Sequence, residues 1–437
     1  MSVETCNIQP SDPNWRRVTR HPALMEYRRL VVLVALANIA VFWAGLQSGR
    51  WGDSTGVTLA PLADMALANF ALGILIRQQR VVNALFWLAT RLPVSAPLWL
   101  RWGAGKVFHF GGLHSSATVS GTVWLAALGA GMAYNLAAEL PGTSLTSLVL
   151  TLAIVALLLA MILSAIGPLR ARFHNRFEII HRFAGWSVLG LFWAHAASLA
   201  ADANGAFLGS LSFWALCAIT LSIISPWLTL KRVPIEVVKP SDHAVAVRFN
   251  YGDTPFAGSS NAISLNPLTE WHSFANIPAP GEDGYRLIIS RAGDWTGRFI
   301  DNPPEKVWVK GITTSGVARI EVLFRKVVYV ATGSGIGPVL PHLLAKDVPT
   351  HLIWSTRSPV RTYGQEIVDE ILQSSPDALI WDTDASGKPD LSALAERAVK
   401  EHDAEAVIVI ANQKLTRKVV HDMESQGIPA FGAIWDS

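Results

Sequence analysis

Six apolar runs occupy the first half of the chain, at roughly 30–47, 57–76, 107–137, 144–166, 179–201 and 207–228. A helix rises about 1.5 Å per residue, so each run reaches across about 30 Å of hydrocarbon, and six such segments cannot share one water-soluble core. Between the second and third, the stretch 81–100 is apolar but broken by Arg91, Pro93 and Pro97, which suits an interfacial or partly buried segment better than a seventh crossing. The predicted first part is therefore an α-helical membrane bundle of six spans over 30–230, preceded by a polar tail over 1–29 that has no apolar core of a cleavable signal.

Positive charge sorts the loops. Arg16, Arg17, Arg20, Arg28 and Arg29 precede the first run; Arg77, Arg80, Arg91, Arg101 and Lys106 lie between the second and third. Arg170, Arg172 and Arg176 separate the fourth and fifth, Lys231 and Arg232 follow the sixth, and the opposite loops hold only Arg50. The positive-inside rule then places both termini on the cytosolic side of an integral membrane protein, in the plasma or cytoplasmic membrane. A net charge of +3 is too small to point to nucleic acid. Two cysteines, Cys6 and Cys217, give no disulfide framework and no thiolate metal site.

Histidines inside apolar runs need partners. The fifth run carries His181 and His195, 14 residues and so about 21 Å apart on one helix face. The third carries His109 and His114, but Val123 and Leu128 stand where a second pair would need a ligand. The spans run in the same direction, so His114, or else His109, is at a depth to face His181. A b-type heme held by two imidazoles fits there. A second heme at His195 lacks an evident partner, and a hydrogen-bonded packing role for His195 stays open.

From Lys231 the composition becomes that of a soluble protein. Short strands with turn punctuation over 231–322 predict a small antiparallel β-barrel. Over 323–437 the rhythm changes to strand, glycine turn, helix and strand, with Gly333, Gly335, Gly337 and Pro338 closing a Val-rich strand. That pattern predicts an α/β nucleotide-binding domain with the glycines at a pyrophosphate.

Three motifs in this order, Glu270-Trp-His-Ser-Phe-Ala-Asn276, Arg291-Ala-Gly-Asp-Trp-Thr-Gly297 and Gly333-Ser-Gly-Ile-Gly-Pro338, stand behind six spans carrying His181 and His195. Together they resemble the ferric reductase and NADPH oxidase superfamily. Within it the chain is most similar to the fungal TmpA-like membrane flavoproteins. The resemblance implies electron flow from cytosolic NADPH or NADH through FAD to heme, and on to ferric iron, oxygen or a membrane-accessible substrate. It places Trp271, His272, Ser273, Phe274 and Ala275 against the flavin, with Ala275 where the family has a hydroxyl near the reactive nitrogen. Arg291 and Thr296 belong beside the FAD phosphates, and Arg357 near the adenosine ribose, where it favours a 2′-phosphate. Trp435 corresponds to the terminal aromatic that stacks on the isoalloxazine ring. The family's Cys-Gly-Pro beside the nicotinamide is replaced by Ala411-Asn412-Gln413. Those departures keep a second reading open, an FAD-binding sensor or accessory subunit with a degenerate nicotinamide site, working as an oligomer or with a partner subunit.

Overall fold

A computed structural model describes residues 24–53 and 55–432. Trp435, Cys6 and the arginines at 16, 17 and 20 lie outside the described residues. Helices α1 (Glu26–Gln47), α2 (Leu59–Leu75), α3 (Gln79–Ala89), α4 (Leu98–Gly105), α5 (Gly111–Ala137), α6 (Leu145–Ala165), α7 (Gly167–Arg172), α8 (His174–Asp202) and α9 (Leu211–Leu228) make up the first part. Five helical stretches are long and apolar enough to cross a membrane, and a sixth is reached if the bent pair α2–α3 counts as one. Their outward faces are apolar: Leu33 is 61% exposed and Leu211 73%. A surface of that kind belongs against lipid or protein rather than water.

Several polar side chains inside the bundle pair with one another or with backbone. Asn38 and Asn69 exchange side-chain amide hydrogen bonds at 3.1 and 2.8 Å, and Trp124 Nε1 donates to Asn38 Oδ1 at 2.7 Å. Asn135 closes the short hairpin of β1 (Gly52–Asp53) and β2 (Gly56–Val57) onto α5 through both the N–H and the carbonyl of Val57.

The stretch expected at an interface behaves differently. A 72° bend after α2 turns α3 away from the bundle. Gln78 caps the new helix through its side-chain oxygen, accepting from Val81 N at 3.1 Å. Val82 and Phe86, each 2% exposed, join a core in the C-terminal part of the chain beside Ile320, Leu323 and Tyr329. Arg101 on α4 is 3% exposed and gives both terminal nitrogens to Glu405, at 2.7 and 3.2 Å, with Nη1 also donating to Leu323 O at 2.8 Å. Lys106 pairs with Glu424 and donates to Ala430 O. Residues 79–106 are therefore a strap that fastens the bundle to the soluble lobes.

The helical part ends at Leu228, and β3 (Lys231–Pro234) begins the soluble part. The first lobe holds β3, β4 (Glu236–Val238), β5 (Ala244–Phe249), β6 (Ser259–Ser264), β7 (His272–Ala275), β8 (Tyr285–Ser290), α10 (Asp294–Asp301), β9 (Lys306–Val309) and β10 (Thr314–Ser315). Its strands form two antiparallel sheets, β10-β6-β9-β3 with β7 paired to β6, and β4-β5-β8. The expected barrel does not close among the described residues. After Pro234 one more backbone bond, Ile235 N to Glu305 O at 3.1 Å, holds the chain to the first sheet, and it enters the second at Glu236. Side chains from both sheets, including Val245, Val247, Phe249, Ile263, Leu287 and Phe299, fill the space between them.

The second lobe carries β11 (Val327–Thr332), α11 (Ile336–Ala345), β12 (Thr350–Thr356), α12 (Pro359–Tyr363), α13 (Gln365–Ser374), β13 (Leu379–Asp382), α14 (Thr383–Ser386), α15 (Leu391–His402), β14 (Ala406–Ile410), α16 (Gln413–Ser425) and β15 (Ala430–Gly432). Its five strands are parallel in the order β13-β12-β11-β14-β15. Order reverses between β11 and β14, which opens the crevice that doubly wound sheets use for ligands.

Replacing Arg101 with Ala leaves Glu405 and the Leu323 carbonyl without their shared donor. Loss of a buried pair's partner costs about 3 kcal/mol, and here about 2, because Glu405 keeps some contact with water. Thermal unfolding of the full chain in detergent, read together with protease release of the soluble lobes, should show both an earlier transition and faster release. An unchanged profile would rule out the strap as the fastening.

Candidate functional site

Gly333 takes a left-handed φ of 49°, and a Cβ on Gly335 would stand 2.1 Å from the carbonyl oxygen of Ile410. The first value needs a residue with no Cβ penalty, and the second leaves no room for any side chain. These two positions bring α11 down onto the ends of β11 and β14. Trp354 on β12 supports the turn from below, its Nε1 donating to Gly333 O at 3.0 Å. Gly337 faces Ile288 of β8, so the same helix start touches the first lobe. The glycine turn thus lies at the C-terminal ends of β11 and β14, where the strand order reverses.

The stretch that the resemblance assigns to the flavin lies on β7, paired to β6 with His272 opposite Ile263 and Ala275 opposite Ser260. His272 stacks on Trp295 of α10 at 4.0 Å, and Phe274 flanks the same indole at 6.2 Å. Burial pulls the His272 pKa below its ordinary value, opposed by the nearby carboxylates of Glu270 and Glu178. Ser273 is exposed. Thr296 turns its hydroxyl to the start of α10, accepting from Ala292 N and Gly293 N at 2.9 and 3.1 Å. Arg291 is committed elsewhere than a phosphate. It makes a bidentate pair with Asp301 at 3.1 and 2.6 Å, and Nε donates to Asp242 O. Arg357 is exposed just after β12, before α12, whose Arg361 lies near Asp384. Asn412 caps α16 by accepting from Leu415 N at 3.1 Å, so Ala411-Asn412 forms a helix entry beside the crevice.

Trp271 connects this lobe to the bundle. Its ring meets Trp227 of α9 edge-on at 6.5 Å, and Trp227 meets Trp186 of α8 at 5.5 Å. Arg182 of α8 donates to Leu268 O at 3.1 Å, three residues before Trp271. The Lys310 ammonium sits 4.7 Å from the Trp271 ring centre. Burial, reinforced by Arg182, pushes the Lys310 amine down to about 8.

A cavity of about 1880 Å³ runs through the bundle and is lined by His114, His181, His195 and Lys310. It exceeds the usual upper size of about 1,000 Å³ for a small-molecule site. His114 and His181 face each other across it, their ring centres 6.3 Å apart. Two imidazoles that shared one metal would have ring centres about 6 Å apart, because each metal–nitrogen bond is about 2 Å and the ring centre lies roughly 1 Å further. His114 Nδ1 donates to Gly73 O at 2.7 Å, which leaves Nε2 as the unprotonated nitrogen. Nδ1 of His181 is buried without a protein partner. These residues fit a heme held by two histidines.

His109 is not the alternative ligand. The short 3₁₀ turn Lys106–Phe110 points it away from the cavity, with Nδ1 at 3.0 Å from Lys106 O and Nε2 at 3.7 Å from Glu26. His195 lines the cavity, but its Nε2 is bonded to Thr151 Oγ1 at 2.8 Å, and the facing positions of α5 include Leu125 and Leu128. The structure also gathers a cluster that the sequence did not suggest: His351 and His402 stack at 3.8 Å beside Asp377. Residues 26 and 25 positions apart carry no spacing signal, and the cluster lies at the β12 start, at the opposite end from the crevice.

A family model described as adenylate-forming reductase 03009, C-terminal domain, matches residues 317–437. Adenylate-forming reductases 03009 and 06235 of Coprinopsis cinerea are 43% and 42% identical over 429 and 428 residues. Each alignment takes in 96% of this chain and 41% of the relative, so the chain spans about two fifths of the length of the curated relatives it matches. Among solved structures, a ferredoxin NADP+ reductase from Neisseria gonorrhoeae with bound FAD and NADP is 14% identical, covering 47% of this chain and 98% of that one at a TM-score of 0.38. The flavohem-like FAD/NAD binding domain of the Vibrio cholerae nitric oxide dioxygenase covers 46% of this chain and 98% of that one, at 14% identity and a TM-score of 0.33.

Two outcomes follow from this geometry. Gly335→Ala should abolish retention on an immobilised adenine nucleotide while Gly142→Ala, in a remote turn, does not. Equal retention by both would remove the glycine turn from the site. Lys310 loses its proton near pH 8 in the folded protein, whereas an unfolded lysine holds it to about 10.4, so the unfolded chain binds more protons in between. Stability should therefore rise with pH across about 8 to 10, and Lys310→Met should flatten that rise in denaturation experiments.

Proposed function

We propose that this chain is a membrane-bound flavoheme oxidoreductase, which takes electrons from cytosolic NADPH or NADH through FAD to a heme between His114 and His181. The observation that carries the reading is the junction at Trp271. The strand that the resemblance assigns to the flavin starts where the loop before it is hydrogen-bonded to Arg182, the residue next to His181. Trp271 also shares Lys310 with the cavity that both histidines line. A nucleotide-type crevice, a flavin-type strand and a two-histidine cavity thus lie in sequence through one fold.

FAD supplies the step from two-electron to one-electron chemistry, and heme accepts single electrons. For the flavin, β7 and the β8–α10 turn offer the surface; Thr296 fixes the turn that would meet the phosphates. Arg291 would have to leave Asp301 to reach them. The glycine turn and Arg357 serve the nicotinamide nucleotide, with Arg357 favouring a 2′-phosphate. His114 and His181 would hold the iron by their imidazoles. The lipid bilayer surrounds the six spans, with both termini cytosolic. The curated relatives carry a name that joins adenylate formation to reduction, and this chain is read as the reducing portion of such a system.

A second reading has its own observation. Asn412 spends its side chain on capping α16, and Ala275 offers the flavin no hydroxyl, so the nicotinamide side is poor in reactive groups. That favours an FAD-binding sensor or accessory subunit, alone or with a partner. Anaerobic addition of NADPH and then NADH to purified protein separates the two: rapid bleaching of flavin followed by a reduced heme spectrum supports the reductase, and unchanged flavin supports the sensor.

His181→Ala should remove the heme absorbance and leave the flavin spectrum in place. Heme retained at the wild-type level per polypeptide would overturn the ligand assignment.

A further inference from the structure

The end of the second sheet opposite the crevice gathers three side chains that the proposed electron path does not use. His351 stands at the start of β12 on the same face as Ile353, because strand side chains alternate. Ile353 shares a core with Ala395 and Ala398 of α15. His402, the last residue of that helix, lies four positions beyond Ala398 and so on the same helical face. β13 pairs with β12 so that Leu379 is opposite Ile353, which brings the approach to β13, with Asp377, alongside His351. Sheet register and helix periodicity converge on one point.

Asp377 Oδ2 is 3.2 Å from His351 Nδ1 and 3.7 Å from His402 Nδ1. One ligand atom from each of the three residues lies within 4.8 Å of the other two. Donor atoms held about 2.0–2.1 Å from a tetrahedral metal stand roughly 3.3 Å apart, a value that the two distances to the carboxylate bracket. A hydrogen bond accounts for the shorter of them alone, since 3.7 Å is beyond its reach. Asp377 is also held from behind. Ser375 Oγ donates to its Oδ1 at 3.1 Å, which leaves Oδ2 turned to the imidazoles. Supporting bonds of that kind orient the ligands of a metal.

We propose that His351, His402 and Asp377 form a binding site for a divalent transition metal of the zinc type, which clasps the end of α15 to β12 and to the approach of β13. Two imidazoles and one carboxylate suit zinc, whereas magnesium and calcium take oxygen ligands. The two rings stack at 3.8 Å with 20° between their planes. An imidazole lone pair lies in the plane of its ring, so binding tilts the rings apart until both Nδ1 lone pairs meet at one point. His402 supplies that movement, because its side chain is partly exposed at a helix end, while His351 is buried and stays in place. Water completes the tetrahedron, since the neighbouring carboxylate of Glu401 accepts from Arg397 Nε at 2.7 Å. The site stands whether or not the flavoheme reading holds.

The test uses the full chain in detergent, free of any histidine tag and stripped with EDTA, titrated with zinc chloride against a chromophoric chelator. Heme iron is counted separately by elemental analysis. A saturable step of one zinc per chain should appear, unchanged by excess magnesium, and the unfolding temperature of the soluble lobes should rise with zinc. His402→Gln and Asp377→Asn alter solvent-facing side chains, so both variants should fold. Each should weaken the zinc step at least tenfold and cancel the thermal shift while flavin content stays constant. Absence of a saturable step would overturn the proposal. So would a step of equal affinity in both variants, which would place the ion at other histidines.

Discussion

A buried guanidinium holds the two halves of this protein in one geometry. Arg101 is bonded to Ala96 O, Leu323 O and both oxygens of Glu405, so each of its three nitrogens donates to backbone or carboxylate. A planar fork with five donors suits this position as no lysine could. Around it, Val82 and Phe86 supply apolar area to the second lobe, and Asn83 pairs with Thr313 O and Ser315 N as if it extended β10. The soluble lobes are thereby set beneath the bundle at one angle, and the spatial relation between the crevice, β7 and the cavity depends on that angle.

The same contacts explain why the chain needs its irregular middle. A continuous helix from α2 would have carried Val82 and Phe86 onward along its own axis, past the end of the apolar run, in place of turning them into the second lobe. The 72° bend puts Gln78 at a cap and Gln79 at the lobe surface. Aromatic rings then bridge the remaining gap, from Trp186 through Trp227 to Trp271. Packed rings of this type hold separations of about 5 to 7 Å. Together with the Arg182–Leu268 hydrogen bond they connect the loop before β7 with α8.

Much of the architecture was legible from pattern alone. Six apolar runs, the distribution of arginine between loops and the change of rhythm at Lys231 each follow from local physical rules, and the parallel sheet followed from glycine and valine spacing. The histidine pairing was partly legible: His114 and His181 do meet, while His109 falls on a 3₁₀ turn that helical periodicity could not anticipate. The open arrangement of the first lobe was not legible, since strand propensity does not report which strands hydrogen-bond. Arg91 and the prolines at 93 and 97 marked the strap as unusual without indicating that its partner lay more than two hundred residues away.

Sequence by itself thus determined which segments are apolar along their length, where the chain turns from bundle to soluble lobes, and which histidines stand at similar depth, because periodicity and charge act over one or two helical turns. Tertiary structure alone decided that Arg291 belongs to Asp301, that His195 spends Nε2 on Thr151, and that Arg101 reaches Glu405. Each is a choice among several polar partners. Such a choice depends on which groups are brought within about 3 Å and shielded from water, and that distance is set only once the whole chain has packed.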